Sequence, residues 1–146
     1  MSARSIQTGR GARGGQSLVE FAACAVLAVT LLLSVVEFGR MVLVYTTINN
    51  AARIGVRYAM VHGVDNAVTT TDVQNVVNNF LGAAAIDTSS ATTNVTYPGI
   101  TGGCAAGSTG PGCPVKVTIS YPYQAMVPYL PISVTLASQS EGVITF

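Results

Sequence analysis

Residues 18–36 are apolar almost without interruption, and residues 21–36 carry no charge. That run approaches the ~20 residues a helix needs to cross a bilayer. Glu37-Phe38-Gly39-Arg40 interrupts it, and Met41-Val42-Leu43-Val44-Tyr45 resumes. No proline follows, and Ile48, Ala52, Gly55 and Ala59 recur at i, i+4, i+7 and i+11, a narrow apolar stripe on a helix. The pattern predicts one long helix over residues 16–63, with a transmembrane segment at about residues 18–44 and Gly63 as its C-terminal glycine. At 1.5 Å per residue it would be on the order of 70 Å long, more than one bilayer. Ala51, Gly55 and Ala59 are small residues four apart, which let another backbone approach closely. That backbone is either this chain's own globular part or a neighbouring subunit's helix.

Thr71-Asp72-Val73-Gln74 reads as a capping box with Thr71 as N-cap, ahead of Val73, Val76, Val77, Phe80 and Leu81 at helical spacing. Gly82 is the expected stop. From Thr92 the period changes to two. Residues 94–97 form a short strand, and Val115, Val117, Ile119 and Tyr121 alternate with Lys116, Thr118 and Ser120 in a half-buried one. Pro122 is expected to end regular pairing there. Pro128 and Pro131 mark a turn, Ile132, Val134 and Leu136 alternate again, and residues 142–146 form a last edge strand or a tail. The expected fold is α+β: a long N-terminal helix, one short helix, and a small antiparallel meander of about three strands with one face covered by helix.

Composition sharpens this picture. Charged residues make up only 9% of the chain, and the part beyond the long helix is polar through Thr, Asn, Gly and Ser. A formal net charge of +1 gives no purchase for phosphate contacts, so nucleic acid is excluded as a partner. Residues 1–15 have no apolar face and carry Arg4, Arg10 and Arg13, as a cytoplasmic leader does. A secretory signal peptide is disfavoured, because the apolar run is too long and no A-x-A-like site follows it. The arginines near the two ends of the run balance, so charge does not settle orientation. Cys104 and Cys113 flank a glycine-rich loop and read as a local disulfide, worth about 3 kcal/mol in the chain-entropy model. That pairing in turn places the C-terminal part in an oxidising compartment.

The sequence holds no catalytic constellation. His62 is the sole histidine, Asp65, Asp72 and Asp87 lack metal-ligand spacing, and the glycines near Gly102 are followed by no phosphate-binding lysine. Neither an enzyme nor a metal or other cofactor is expected.

What remains is Gly15-Gln16-Ser17-Leu18-Val19-Glu20-Phe21, a glycine and a lone carboxylate at the head of an apolar helix. Together with Glu37-Phe38-Gly39-Arg40, Asn50-Ala51-Ala52-Arg53 and Gly55-Val56-Arg57-Tyr58 it resembles the TadE-like pseudopilins of tight-adherence (Tad/Flp) type IV pilus systems. The resemblance covers about residues 14–59. Tyr121-Pro122-Tyr123 and Pro128 also look like that family's C-terminal strand region. The family's better-known major pilins are very short, so a chain with a sizeable C-terminal domain looks more like a minor or initiating subunit.

The resemblance implies a type IV pilin-like fold and a structural role in starting or assembling an adhesive filament. A prepilin peptidase would remove residues 1–15 by cutting between Gly15 and Gln16. Glu20 and Phe21 would serve assembly and register, with Glu20 meeting the new amine of a neighbouring subunit. Glu37 would meet Arg40 or Arg53, most simply Arg40 on its own helix. Implied partners are the peptidase, other pseudopilins, the major pilin and the inner-membrane assembly platform. Residues 64–146 would be a periplasmic domain on a single-pass inner-membrane anchor, extracellular once in the pilus. Two rivals remain. Glu20 could simply be hydrated at the headgroups, and the chain could be a membrane-anchored binding module or adhesin that never polymerises.

Overall fold

The computed structural model describes residues 13–62, 68–100, 103–126 and 133–145. Gly63, Pro128, Pro131 and Ile132, to which the sequence pattern assigns a helix stop, a turn and a strand start, lie outside the described residues. Five elements follow in order: α1 (Arg13–His62), α2 (Thr70–Ala83), β1 (Thr92–Thr96), β2 (Pro114–Gln124) and β3 (Ser133–Val143). Packing divides the chain after Phe38, so that the last part of α1 belongs to a head formed by Gly39–Phe146.

The head is the antiparallel sheet β1-β2-β3 with helix on one face. β2 supplies the alternation expected of a half-buried strand: Val115, Val117, Ile119 and Tyr123 are buried, and the residues between them are partly or fully exposed. Val44, Ile48, Ala51, Ala52, Val56 and Ala59 of α1 are buried in the same core. α2 adds Val73, Val77 and Leu81, an i, i+4, i+8 stripe.

The stripe of small residues on α1 is therefore used within the chain. A side-chain carbon on Gly55 would lie 2.7 Å from Val77 Cγ2 and 3.5 Å from both Val73 and Val117. Gly55 is where α1, α2 and β2 meet. The strand facing α1 is small as well. Ser138 and Gly142 sit on the inward face of β3, the Ser138 hydroxyl donates to Asn49 Oδ1, and a side chain on Gly142 would collide with Val56 and Met60. Small residues on both partners let the helix settle directly on the strand.

The structure corrects the sequence pattern in several places. The N-cap of α2 is Thr69, not Thr71, and its capping partner is Asp72, not Gln74. Gln74 instead donates its amide to the Thr93 carbonyl of β1. α2 runs past Gly82 to Ala83, and the left-handed position after it is taken by Ala85 (φ 57°). Turning there lets Ile86 bond back to Leu81 and enter the core, the usual reason for such a cap. β2 continues through Pro122, which pairs with Thr135. β1 covers β2 only as far as Ser120, so at Pro122 one flank of β2 is uncovered by β1 and a missing N–H is tolerated. Residues 142–143 are not a separate strand but the end of β3. Ile144 follows into the core and exchanges backbone hydrogen bonds with Gly112 and Cys113.

Those bonds tie the chain's end to the disulfide loop. Cys104 and Cys113 are joined, and Gly107 and Gly112 take the positive φ values the loop's turns require. Cys113 is buried, so the bridge closes a loop onto the core and not onto solvent. Replacing both cysteines by serine is expected to destabilise the head by about 3 kcal/mol, read as a lower urea midpoint. Adding a reductant to the wild type should lower the midpoint similarly.

Candidate processing and assembly site

Gly15, Gln16, Glu20 and Phe21 all lie within α1 and all are exposed. A side chain on Gly15 would meet nothing within 4 Å. Among the described residues no packing calls for glycine there, although glycine inside a helix costs about 1 kcal/mol relative to alanine. Glu20 follows one helical turn after Gln16. Among the described residues nothing pairs with its carboxylate. The side chains around it are large, apolar and exposed: Leu18, Val19 and Phe21, the last at 74%. That exposure continues along the helix through Val36 and Phe38. By length and composition α1 is able to cross a membrane. Thr30 and Ser34 do not disturb it, because their hydroxyls donate to carbonyls four residues back, at Val26 and Thr30. Cys24 is exposed among these apolar residues and is a free thiol.

Glu37 is half-buried. Arg40 is the first basic residue after the apolar run, and its guanidinium lies over the Tyr123 ring, 5.2 Å from the centroid. That contact links α1 to β2, two elements far apart in sequence. The pattern Tyr121-Pro122-Tyr123 singles out the region but not the partner. Arg53 and Arg57 are exposed on the same helix. His62 stacks on Tyr58 with ring centroids 4.4 Å apart, and its Nδ1 lies 3.0 Å from the Tyr58 carbonyl. This is the arrangement of a residue closing a helix end. Among the described residues no group of three or more His, Cys, Asp or Glu side chains could hold a metal ion.

Electrostatics in the head are local. Lys116 and Glu141 form an ion pair at 3.2 Å across β2 and β3, where they face each other in register. The Thr69 hydroxyl and backbone N–H hydrogen-bond to Asp72 and hold its carboxyl below the ordinary value of 3.8. A depressed carboxylate stabilises the fold above the unfolded-state pKa, and the contribution fades as pH falls through the lower folded value. Thr69→Ala should raise the Asp72 pKa, seen by carboxyl NMR titration. It should also weaken the start of α2 by about 1 kcal/mol at neutral pH.

A helix of membrane-crossing length leading into a small α+β head is a pilin-like architecture. Residues 15–57 match the model of the TadE-like protein family. The match begins on the candidate cleavage glycine, takes in Glu20, Glu37 and Arg40, and ends at Arg57 inside the head. It covers under a third of the chain and leaves out α2 and the sheet. No curated protein and no solved structure matches the chain. The match points to a role connected with a Tad pilus, carried by a protein whose N-terminal helix is able to anchor in a membrane.

Proposed function

We propose that the protein is a minor pilin or pseudopilin that helps initiate or assemble a Tad/Flp pilus used in surface adhesion. The observation that carries the reading is the coincidence of the TadE-like match with an exposed apolar helix headed by a carboxylate that has no partner among the described residues. A prepilin peptidase cuts between Gly15 and Gln16, where glycine keeps the backbone accessible and a side chain would meet nothing among the described residues. The cut frees a positive amine on Gln16, four residues before Glu20. In a bundle of such helices the amine of one subunit meets Glu20 of the next. A carboxylate near the bilayer centre costs about 2.5–3.5 kcal/mol on insertion scales. Pairing offsets that cost and fixes the axial register between subunits.

Phe21 and the exposed apolar residues after it pack against lipid before assembly and against neighbouring helices afterwards. Glu37 and Arg40 close the apolar stretch at the start of the head, on the periplasmic side of an inner membrane spanned once. The partners are the peptidase, other pseudopilins, the major pilin and the inner-membrane assembly platform. The test is intact mass and N-terminal sequence of the membrane-extracted protein, from cells with and without the peptidase. A peptidase-dependent start at Gln16 is expected. A leader retained in peptidase-containing cells would instead favour an anchored module that is never polymerised.

A further inference from the structure

The two sulfurs of the Cys104–Cys113 bridge are unequally accessible. Cys104 is half-buried, and Cys113 is only 4% exposed. The Ser108 hydroxyl lies 3.4 Å from Cys113 Sγ and donates to it, and the Gly110 N–H donates to the same hydroxyl. Thiol–disulfide exchange begins with attack by a thiolate on one sulfur, and it favours the sulfur that can be reached and the leaving thiolate that is stabilised. Both preferences select attack at Cys104, since a thiolate released at Cys113 keeps the Ser108 donor.

The same loop holds the end of the chain. The Gly112 N–H donates to the Ile144 carbonyl at 2.8 Å, and the Ile144 N–H donates to the Cys113 carbonyl at 2.9 Å. Next along, the N–H and the hydroxyl of Thr145 both donate to the Met60 carbonyl. Met60 stands in the last turn of α1, where carbonyls have no partner within the helix. Ile144 is fully buried, so these bonds fix a core side chain as well as backbone. Gly112 presents its N–H at φ 81°, one of many conformations open to glycine once the bridge no longer closes the loop.

We propose that Cys104–Cys113 is a redox exchange site, entered at Cys104 by a dithiol reductant, and that opening it releases Ile144 and Thr145 from α1. One thiolate of the reductant attacks Cys104 Sγ. The S–S bond breaks, and its electron pair leaves on Cys113, which takes up a proton. The reductant's second thiolate then attacks its own sulfur in the mixed disulfide and frees Cys104, which is protonated in turn. The reductant ends as a disulfide, and the head gains two electrons and two protons. The reverse reaction, with a disulfide as oxidant, fastens the chain's end in a newly made head. The exchange site stands independently of any pilus role of α1.

The experiment uses the full chain in detergent with Cys24→Ser, so that the thiol on α1 does not compete. Brief exposure to glutathione followed by alkylation traps the mixed disulfide, and peptide mass mapping locates it. Glutathione should sit on Cys104 in about tenfold or greater excess over Cys113. Equal amounts on the two, or an excess on Cys113, would overturn entry at Cys104. Amide NMR spectra of the isotope-labelled protein, with and without a dithiol reductant, read the chain's end. Reduction should move the Gly112, Ile144 and Thr145 signals to unstructured positions and leave those of Val73, Val77 and Val117 in place. Unmoved Ile144 and Thr145 signals, or collapse of the whole folded spectrum, would overturn the release.

Discussion

Gly55→Val is expected to unfold the head at markedly lower temperature, although valine is an ordinary residue on a helix. The new Cβ would lie 2.7 Å from Val77 Cγ2, and Val77 is fully buried. Valine is stiff at χ1, so Val77 cannot swing its methyl aside at little cost. Relief requires α2 to move off α1, which also opens the contacts of Val73 and Val117 with the same site. Overpacking of this kind costs about 1–3 kcal/mol, and two added methyls beyond the Cβ put it at the upper end. For a head of this size that lowers the melting temperature by about 10 °C or more. Gly55→Ala should fall between valine and wild type, because gained helix propensity offsets part of the clash. Circular dichroism melts of the three proteins in detergent check the order. Equal melting temperatures would mean that α2 does not approach α1 at Gly55. The variant should still insert in membranes, since the change lies outside the apolar run.

Glu20→Ala is expected to abolish pilus assembly while cleavage after Gly15 continues. If the carboxylate of one subunit pairs with the Gln16 amine of another, removing it leaves a positive charge in lipid without a partner. Breaking such a pair costs about 3–5 kcal/mol, which is on the order of a hundredfold or more in association at each contact. Glu20→Asp keeps the charge but shortens its reach and should retain part of the function. Immunoblots separate processed from unprocessed protein, and counts of surface filaments give the assembly readout. Normal piliation with alanine would overturn the pairing role and leave Glu20 as a residue hydrated at the headgroups. The two substitutions act on separate parts of the chain. Gly55→Val strikes the folding of the head, and Glu20→Ala leaves the head intact.

Local periodicity made the element list legible. An apolar run of membrane length announces its helix from composition alone, because in lipid every backbone polar group must be bonded within the segment. The alternation of Val115, Val117 and Ile119 with polar residues announced a sheet with one covered face, and the short second helix was visible in Val73, Val77 and Leu81. The two cysteines indicated their own bridge, since only a short loop separates them. The candidate processing and assembly residues drew notice for a related reason: a glycine and a carboxylate stand out at the head of an apolar run.

What the tertiary structure alone decided lies where two elements distant in sequence compete for one residue. The box Thr71–Gln74 looked sufficient until Gln74 was claimed by β1, and the cap moved to Thr69 with Asp72. Pro122 stays inside a strand because β1 stops short of it, which no local pattern records. The small residues of α1 read equally well as a surface for a neighbour. Their use inside the head follows from Val77, Ser138 and Gly142 being placed opposite them. Arg40 meets Tyr123 only because the hairpin returns alongside the helix. Period and composition fix which face of an element is buried, since that depends on neighbours three or four residues away. Which face meets which depends on chain closure over many tens of residues, and only the folded packing settles it.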